Sequence, residues 1–466
     1  MTTILNIKND FSTLITDEYN LKHTLWNCLR FRERNYFHNR GYKQRVWDGY
    51  TEFFKLETGK FLTGLLPEIQ AALNHFKIKY EIEDERTKTN WLYDKIDENF
   101  LKTIKYFDYQ VELINQTIKH SRGVIYAPTG AGKSLIMIGI LKCLPPETPT
   151  LVLQNRVTLA EQNHSEALKW GIKGLGTLWG GAVKPNTITI GTFQSIARIE
   201  KELPKIKAIL VDEIHEGMSK LPKAIYKRLK AADIRIALSA TPFKFGDKDK
   251  VQKHFVKGFF GPVLKIKSTK EGILTTNELQ KKEILSSSKC IFYPINEPPL
   301  PYDIYIDAVT HGIAENSYFH KIVVKLAKKL TGRTLILVER IAHGDALNKF
   351  LPNSLWIQGK DDSETRNYVV EQLKVSKNCC AIATPILNTG VNFFVNNLIN
   401  AAGGQAEHQI IQRMGRGLRT ASDKNELNYY DFIFNINPYL LNHSKKRIKI
   451  LKKQGHEVEI KKEIDF

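Results

Sequence analysis

The sequence predicts an α/β protein with two parallel-sheet domains, preceded by a small α+β domain. Two observations indicate the parallel sheets: short apolar strands alternate with helices after residue 98, and the alternation resumes after a basic, irregular stretch. The first part of the chain instead combines helices with a short hairpin. The predicted divisions are residues 1–97, 98–245 and 301–440 for the three domains, 246–300 for a connector, and 441–466 for a basic tail.

The composition of the 466-residue chain restricts its partners and its compartment. The net charge of +20, from 69 Lys and Arg against 49 Asp and Glu, predicts a polyanionic partner, most simply nucleic acid. An anionic membrane surface is the alternative, but no basic amphipathic anchor lies near the N-terminus. The chain has no long apolar run and no signal-peptide pattern, so we expect no membrane span and a cytoplasmic location. The five cysteines form no C-x-x-C pair, as is typical of a reducing compartment.

The N-terminal domain is predicted to contact nucleic acid. Its first predicted helix covers residues 21–34, and a stretch rich in basic and aromatic side chains follows, including Arg45 and Trp47. Residues 49–62 predict a hairpin, and residues 67–76 a further helix. Cations interleaved with aromatic rings can bind phosphates and stack on bases. The alternative is a solvated basic face over a small aromatic core.

A glycine-rich loop at residues 126–134 is the strongest local motif. It joins a predicted buried strand at 123–126 to a predicted helix at 135–141, which is the order of a phosphate-binding P-loop. The predicted phosphate-binding residues are Thr129, Gly130, Ala131, Gly132, Lys133 and Ser134. Small residues allow the backbone amides to surround phosphate oxygens, while Lys133 reaches the β- and γ-phosphates and Ser134 binds Mg²⁺. A chance glycine-rich turn is the alternative.

Acidic side chains follow a predicted strand at residues 208–211. Asp212 is predicted to bind Mg²⁺ and Glu213 to activate the attacking water, because ligands bind beyond the carboxyl ends of parallel strands. His215 is predicted to couple this site to Ser239 and Thr241, which follow the next strand. Upstream of the P-loop, Tyr109 and Gln110 are placed to stack on and hydrogen-bond adenine.

These motifs occur in the order seen in the superfamily 2 helicases of the DExH type, which the sequence resembles from about residue 105 to 435. In the second half, residues 381–384 with 389–392 resemble motif V, and residues 412–419 closely resemble motif VI. The resemblance implies two tandem RecA-like domains forming a helicase motor. The second domain lacks a P-loop, so its predicted part is to supply arginines, as a planar and permanently charged guanidinium stabilises the transition state.

Further residues are predicted to contact the nucleotide or the nucleic acid. Arg416 and Arg419 are predicted catalytic arginines, Gln412 contacts the nucleotide, and Arg413 serves packing or nucleotide contact. Outside the N-terminal domain, the residues predicted to contact a nucleic-acid strand are Arg156, Thr192, Thr384 and Gly390. Backbone contacts of this kind carry little sequence preference.

The finer resemblance is to the UvsW-type recombination helicases of large bacteriophages. Residues 42–49 and the following hairpin are similar to the small N-terminal domain of that family. The resemblance implies a monomeric, ATP- and Mg²⁺-dependent helicase that unwinds or branch-migrates branched or single-strand-containing DNA, with single-strand-binding or recombination proteins as partners. The alternatives are an RNA helicase, the motor subunit of a restriction complex, and a nucleic-acid binder with a relic ATP site.

Overall fold

The computed structural model of the chain describes residues 3–243, 249–267, 269, 272–384, 395–405, 409–411, 413–414 and 426–466. The chain forms two compact units. The first contains residues up to Ala127 together with Gly132–Leu274; the second contains Thr275–Phe466, and Pro128–Ala131 group with it. None of the described helices has the length and apolar composition that a membrane crossing requires.

The first unit begins with a four-stranded sheet. Its elements are β1 (Thr3–Ile7), β2 (Phe11–Ile15), α1 (Tyr19–Cys28), β3 (Arg30–Arg32), α2 (Arg40–Lys43), β4 (Tyr50–Glu52), β5 (Lys60–Leu62), α3 (Leu66–His75) and β6 (Tyr80–Asp84). The strand order is β5-β2-β1-β6, with β1 antiparallel to β2 and parallel to β6. Its core is continuous with that of the sheet that follows, so this segment packs as part of the first unit.

Two N-terminal predictions need correction. The helix predicted over residues 21–34 ends at Cys28, and Arg30–Arg32 form a strand antiparallel to β4, because Phe31 packs on Phe53. The predicted hairpin over residues 49–62 has its two strands, but β4 pairs with β3 and β5 with β2. Between the two predicted strands there is one bridge, which joins Phe54 to Phe61.

A seven-stranded sheet forms the rest of the first unit. Its elements are α4 (Asp108–His120), β7 (Arg122–Tyr126), α5 (Lys133–Cys143), β8 (Thr150–Gln154), α6 (Val157–Lys169), β9 (Leu175–Trp179), β10 (Ala182–Lys184), β11 (Ile188–Thr192), β12 (Ala208–Asp212), α7 (Lys220–Arg228), β13 (Ile234–Ser239) and α8 (Lys250–Phe260). The order is β10-β9-β11-β8-β12-β13-β7, and every pairing except that of β10 with β9 is parallel. The predicted parallel sheet is therefore present, and β7, β12 and β13 end at one edge.

The second unit contains another seven-stranded sheet, which is parallel throughout. Its elements are α9 (Thr276–Lys281), β14 (Ser287–Ile295), α10 (Tyr305–Val309), α11 (Ser317–Lys329), β15 (Arg333–Leu337), α12 (Ile341–Phe350), β16 (Leu355–Ile357), α13 (Ser363–Val375), β17 (Cys379–Ala383), β18 (Asn397–Asn400), β19 (Glu426–Phe434), α14 (Pro438–Lys453) and β20 (Glu457–Ile460). The order is β16-β17-β15-β18-β19-β14-β20.

The second sheet extends beyond the residues from which it is predicted. β14 lies within residues 246–300, predicted to be a connector, and β20 lies within the predicted tail at 441–466. The two strands pair with each other, and β14 also pairs with β19 along nine residues. β14 is a sheet strand because Cys290, Phe292 and Ile295 are buried in the domain core, and β20 pairs along it as the edge strand.

Candidate active site

The P-loop connects β7 to α5 through two glycines in the left-handed region. Gly130 has φ +88° and Gly132 has φ +75°, which L side chains rarely adopt. A Cβ on Gly132 would also collide with the side-chain amide of Gln110. The Ala131 amide donates to the carbonyl of Pro128 at 3.1 Å, which tightens the turn. The loop thus depends on glycine both for backbone conformation and for space.

Lys133, the first residue of α5, forms an ion pair with Glu213. Its Nζ lies 3.3 Å from Glu213 Oε1, and both side chains are largely covered, with 15% and 16% exposed. Glu213 follows β12 directly and has φ +51°, a strained conformation for a non-glycine residue. The fold therefore holds a strained carboxylate against the P-loop lysine, where the sequence predicts the water-activating group.

The predicted coupling residues form one hydrogen-bonded cluster. Ser239 Oγ donates to Glu213 Oε2 at 3.0 Å and lies 2.9 Å from His215 Nδ1. His215 Nδ1 is also 3.2 Å from Glu213 Oε2. Thr241 joins through its backbone amide, which donates to Ser239 Oγ at 3.0 Å. The ends of β12 and β13 are thus connected through a single carboxylate oxygen.

Asp212 occupies a different environment from its neighbour Glu213. The Glu213 amide donates to Asp212 Oδ1 at 3.0 Å, and Asn163 Nδ2 donates to Oδ2 at 3.2 Å. Burial, with the negative charge of Glu213, raises the pKa of Asp212 to about 6. Burial also opposes ionisation of Glu213, but Lys133 and a hydrogen bond from His215 outweigh it and hold the pKa of Glu213 below its ordinary value.

Asn163 is a contact that the sequence analysis does not identify. It lies on α6, is buried, and also donates to Gln154 Oε1 at 2.7 Å. A polar residue on the buried side of an otherwise ordinary helix is the available sequence signal. By orienting both Gln154 and Asp212, Asn163 fixes the position of the Asp212 carboxylate.

The donor set of this edge fits a magnesium-bound nucleoside triphosphate. A hydroxyl from Ser134 and a carboxylate from Asp212 are oxygen ligands of the kind that Mg²⁺ prefers, with substrate phosphates completing its coordination. The Lys133 ammonium suits phosphate oxygens as a compact positive charge. Ser134 lies in the first turn of α5, where the helix N-terminus favours anions.

Tyr109 and Gln110, the predicted adenine contacts, lie at the start of α4, where both side chains have partners within the protein. Gln110 Oε1 accepts from the Phe107 amide at 3.0 Å, so the side chain caps the helix. The Tyr109 ring is 1% exposed and stacks on Phe107 with a 9° angle between the rings. Phe107, which is 45% exposed, therefore offers the accessible aromatic face at this position.

The predicted N-terminal contact residues lie in a turn that is partly covered. Arg45 is exposed and has φ +58°. Trp47 is half-buried, and its indole nitrogen donates to the carbonyl of Tyr50 at 2.7 Å. Nearby, the guanidinium of Arg30 lies 4.3 Å from the Tyr50 ring centroid, and that of Arg32 lies 4.9 Å from it. Some of the basic and aromatic side chains in this region therefore contact each other.

The other residues predicted to contact a nucleic-acid strand differ in how exposed they are. Arg156 is exposed but pairs with Glu216 at 2.9 Å. Thr192 is buried, and its hydroxyl lies 3.1 Å from that of Ser195. Thr384 is buried at the end of β17. Arg156 is therefore accessible to a nucleic-acid strand, whereas the side chains of Thr192 and Thr384 are mostly covered by the protein.

In the second unit, Arg413 is a packing residue. It is 2% exposed and donates to Asn400 Oδ1 at 2.9 Å and to Glu339 Oε2 at 3.1 Å. Arg413 was predicted to serve either packing or nucleotide contact, and its burial and hydrogen bonds correspond to packing. The other residues predicted in this part of the chain lie outside the described residues: Gln412, Arg416, Arg419 and Gly390.

Two protein families match the chain. The family described as "Type III restriction enzyme, res subunit" matches residues 103–244, and "Helicase conserved C-terminal domain" matches residues 316–421. The first match covers the P-loop and the Asp212–Glu213 pair, and the second covers motifs V and VI. The first match includes every strand of the first parallel sheet, whereas the second match includes β15, β16, β17 and β18 of the second sheet but not β14, β19 or β20.

Named relatives match over longer stretches. The chain is 22% identical to the "ATP-dependent DNA helicase uvsW" of Enterobacteria phage T4, over 95% of this chain and 93% of the relative. It is 23% identical to the "DNA 3'-5' translocase XPB2" of Sulfurisphaera tokodaii, over 73% of this chain and 85% of the relative. The structure of S. cerevisiae Dbp5 bound to RNA and ADP BeF3 has the same fold, with a TM-score of 0.54, 15% identity, and coverage of 77% of this chain and 91% of that one.

Proposed function

Because this chain belongs to the UvsW-like DNA helicases of superfamily 2, with two RecA-like domains, we propose that it unwinds or branch-migrates branched DNA. As a member of that family it is an ATP-dependent DNA helicase. The branched substrate and a part in phage replication, recombination and repair belong to the proposal. They are supported by the phage T4 relative, whose match extends over nearly the whole of both chains.

The observation that carries the enzymatic proposal is the cluster around Glu213. One carboxylate contacts the P-loop lysine through Oε1 and both Ser239 and His215 through Oε2. A nucleotide phosphate that attracts Lys133 would weaken its ion pair with Glu213. Glu213 would then be free to orient water and accept its proton, and the change would reach β13 through Ser239.

The remaining roles are assigned as follows. Ser134 and Asp212 hold Mg²⁺, which neutralises phosphate charge when bound. Arg416 and Arg419 supply positive charge to the γ-phosphate, and Gln412 contacts the nucleotide. Tyr109, Gln110 and the amides of Thr129, Gly130 and Ala131 are assigned to nucleotide binding, and His215 and Thr241 to coupling. Arg45, Trp47, Arg156, Thr192, Thr384 and Gly390 are assigned to the nucleic acid.

We also propose that the protein is a monomer that acts in the cytoplasm with single-strand-binding or recombination proteins as partners. The net charge of +20 supports association with a polyanion. Light scattering of the protein as it elutes from a size-exclusion column should give the mass of a single chain. Self-association at working concentration would contradict that part of the proposal.

The deciding experiment is steady-state ATP hydrolysis with no nucleic acid, with single-stranded DNA, with a four-way DNA junction and with structured RNA. We expect the junction to stimulate turnover most, and Lys133→Ala to abolish it. Lys142→Ala, at the far end of the same helix, is the matched control and should retain activity. Stronger stimulation by RNA than by any DNA would contradict the proposal.

A second candidate is the motor subunit of a restriction complex. It is favoured by the match of residues 103–244 to the restriction-enzyme family. The two candidates differ in their need for a partner: a restriction motor requires a nuclease subunit to cleave DNA. Strand displacement from a junction by the purified chain favours the helicase proposal, and copurification of a nuclease that restores activity favours the motor subunit.

A further inference from the structure

Glu216 connects Arg156, a predicted nucleic-acid contact, to the segment that carries Asp212 and Glu213. Its Oε1 accepts a hydrogen bond from Arg156 Nη2 at 2.9 Å. The Arg156 side chain is 43% exposed, whereas that of Glu216 is 18% exposed. A ligand from the solvent can therefore reach the guanidinium, while the carboxylate that pairs with it is largely covered by the protein.

The backbone of Glu216 closes the turn that follows β12. Its amide donates to the carbonyl of Glu213 at 2.9 Å, and the amide of Gly217 donates to that of Ile214, also at 2.9 Å. Glu213 has φ +51°, and a non-glycine residue keeps such a conformation only where its surroundings impose it. The position of Glu216 therefore contributes to the conformation of Glu213, whose carboxylate contacts Lys133.

The Glu216 carboxylate depends on Arg156 for its charge partner. Its Oε2 is buried and accepts no hydrogen bond from any residue that the structure describes. Removing the cation from a covered carboxylate is costly, because the remaining charge is then neither paired nor hydrated. If Arg156 leaves, we expect Glu216 to turn towards water and the turn at residues 213–216 to change with it.

Arg156 also stands at the beginning of a helix that contacts Asp212. It is the N-cap residue of α6, and Asn163 of the same helix donates to Asp212 Oδ2 at 3.2 Å. The segment after β12 is thus contacted from α6 at two points, Asp212 by Asn163 and Glu216 by Arg156. The positive end of the helix dipole adds to the attraction of a phosphate group for Arg156.

We propose that the ion pair between Arg156 and Glu216 restrains Glu213, and that a nucleic-acid phosphate at Arg156 relieves this restraint. The inference rests on the proposed function, which assigns Arg156 to the nucleic acid. A phosphate and the Glu216 carboxylate are both anionic acceptors for one guanidinium, so they compete for it. Glu216 is then a positioning residue that makes ATP hydrolysis respond to DNA. Because such coupling is reciprocal, nucleotide binding changes the affinity for DNA by the same factor.

The test is Glu216→Gln, which keeps the size of the side chain but removes the charge that competes with phosphate. Turnover of ATP without DNA should rise by roughly threefold to tenfold, and stimulation by single-stranded DNA should fall by about the same factor. The Kd for labelled single-stranded DNA, from fluorescence anisotropy at one fixed salt concentration, should fall by roughly threefold to tenfold.

Glu200→Gln is the matched control. It removes the same charge from another Arg–Glu pair of the first unit, the one with Arg228, and both partners of that pair are about half-exposed. Its basal turnover, stimulation and Kd should equal those of wild type. In a background of Arg156→Gln, Glu216→Gln should no longer tighten DNA binding, because the guanidinium for which the carboxylate competes is absent.

A second variant covers the case in which Glu216→Gln fails to fold. Glu216→Asp keeps the charge but shortens the side chain by one methylene, which weakens the contact with Arg156, so basal turnover should rise by a smaller factor. Equal basal turnover and DNA affinity in Glu216→Gln and Glu200→Gln would overturn the inference. Loss of basal and stimulated turnover by one common factor would also overturn it, since Glu216 would then only support the fold.

The failure of the proposed function has a different signature. If DNA does not stimulate wild type, the proposed function fails, whatever the variants do. The restraint on Glu213 is still decided by basal turnover without DNA: a rise in Glu216→Gln but not in Glu200→Gln supports it, and equal rates refute it.

Discussion

Each of the two parallel sheets carries a cluster of polar side chains, the first around Glu213 and the second around Asp431, but the charges of the two clusters are satisfied differently. In the first sheet, Lys133 and Glu213 remain partly exposed, and Glu213 has a strained backbone. In the second, Asp431 and Arg447 are fully buried and bidentately paired. The difference indicates that the charged groups of the first cluster are available to a substrate, whereas the buried charges of the second cluster neutralise each other.

The comparison predicts that substitutions in the second cluster cost folding free energy, whereas those in the first cluster affect turnover without such a cost. An accessible charged group can exchange its protein partner for a ligand or for water. A buried one leaves its partner unpaired when it is removed, and that costs folding free energy. Four substitutions test this difference.

The largest expected effect is that of Glu213→Gln on ATP hydrolysis. The amide cannot accept the proton of the attacking water, so kcat should fall by roughly 10²-fold to 10⁴-fold. Steady-state hydrolysis with single-stranded DNA measures this change. Binding of a fluorescent ADP analogue should persist, because Lys133 is retained. A variant with wild-type turnover would remove Glu213 from the chemistry.

Next in size is the destabilisation expected from Asp431→Asn. The change leaves Arg447 without its anionic partner in the protein interior, so the second unit should lose about 3–5 kcal/mol of unfolding free energy. Urea titration followed by circular dichroism measures the loss. The double variant with Arg447→Met should regain most of it, since no unpaired charge remains. A double variant as unstable as the single one would show that the charges are not responsible.

A smaller, pH-dependent effect is expected from Asp212→Asn. Because the pKa of Asp212 is raised to about 6 in the folded protein, its stabilising contribution is present below the unfolded value near 4 and is lost as pH rises through 6. Asp212→Asn should therefore be more stable than wild type at pH 7, by about 2–3 kcal/mol. Melting temperatures at pH 4 and pH 7 test this: the difference should disappear at the lower pH, and a constant difference would refute it.

The smallest expected effect is that of Tyr429→Phe. It removes the 2.7 Å hydrogen bond to Asp431 while keeping the ring, so the loss should be about 1 kcal/mol, measured as a shift in the urea midpoint. Tyr430→Phe is a neighbouring control on the same strand. Equal losses in the two variants would mean that the bond to Asp431 adds nothing.

The local parts of this architecture follow from sequence patterns, and the long-range parts do not. The P-loop and residues 212–215 are predictable, because loop, strand and helix are adjacent in the chain. The capping role of Gln110 is also local, but it competes with the adenine contact predicted for the same residue. The pairing of Asp431 with Arg447 and the hydrogen bond from Asn400 to Asp431 depend on strand order, which spacing does not reveal.

The strands missed by prediction show the same limit. The residues of β3 have a helix-like sequence pattern, but they form a strand because Phe31 packs on Phe53 and the guanidinium groups of Arg30 and Arg32 lie over the Tyr50 ring of β4. β14 lies in a basic stretch without clear periodicity, and its burial results from partners encoded at the far end of the chain. Tertiary packing, rather than local preference, determines these segments.

The parallel pairing of β14 with β19 and β20 has a consequence for folding kinetics. β14 is the first strand of the second unit to be translated, but its two neighbours are β19 and β20, the last strands to be translated. The first unit can close its sheet as soon as residue 274 has left the ribosome, whereas β14 must wait with unpaired backbone groups. We therefore expect slow, high-contact-order folding of the second unit and a transient strand edge that is prone to aggregation.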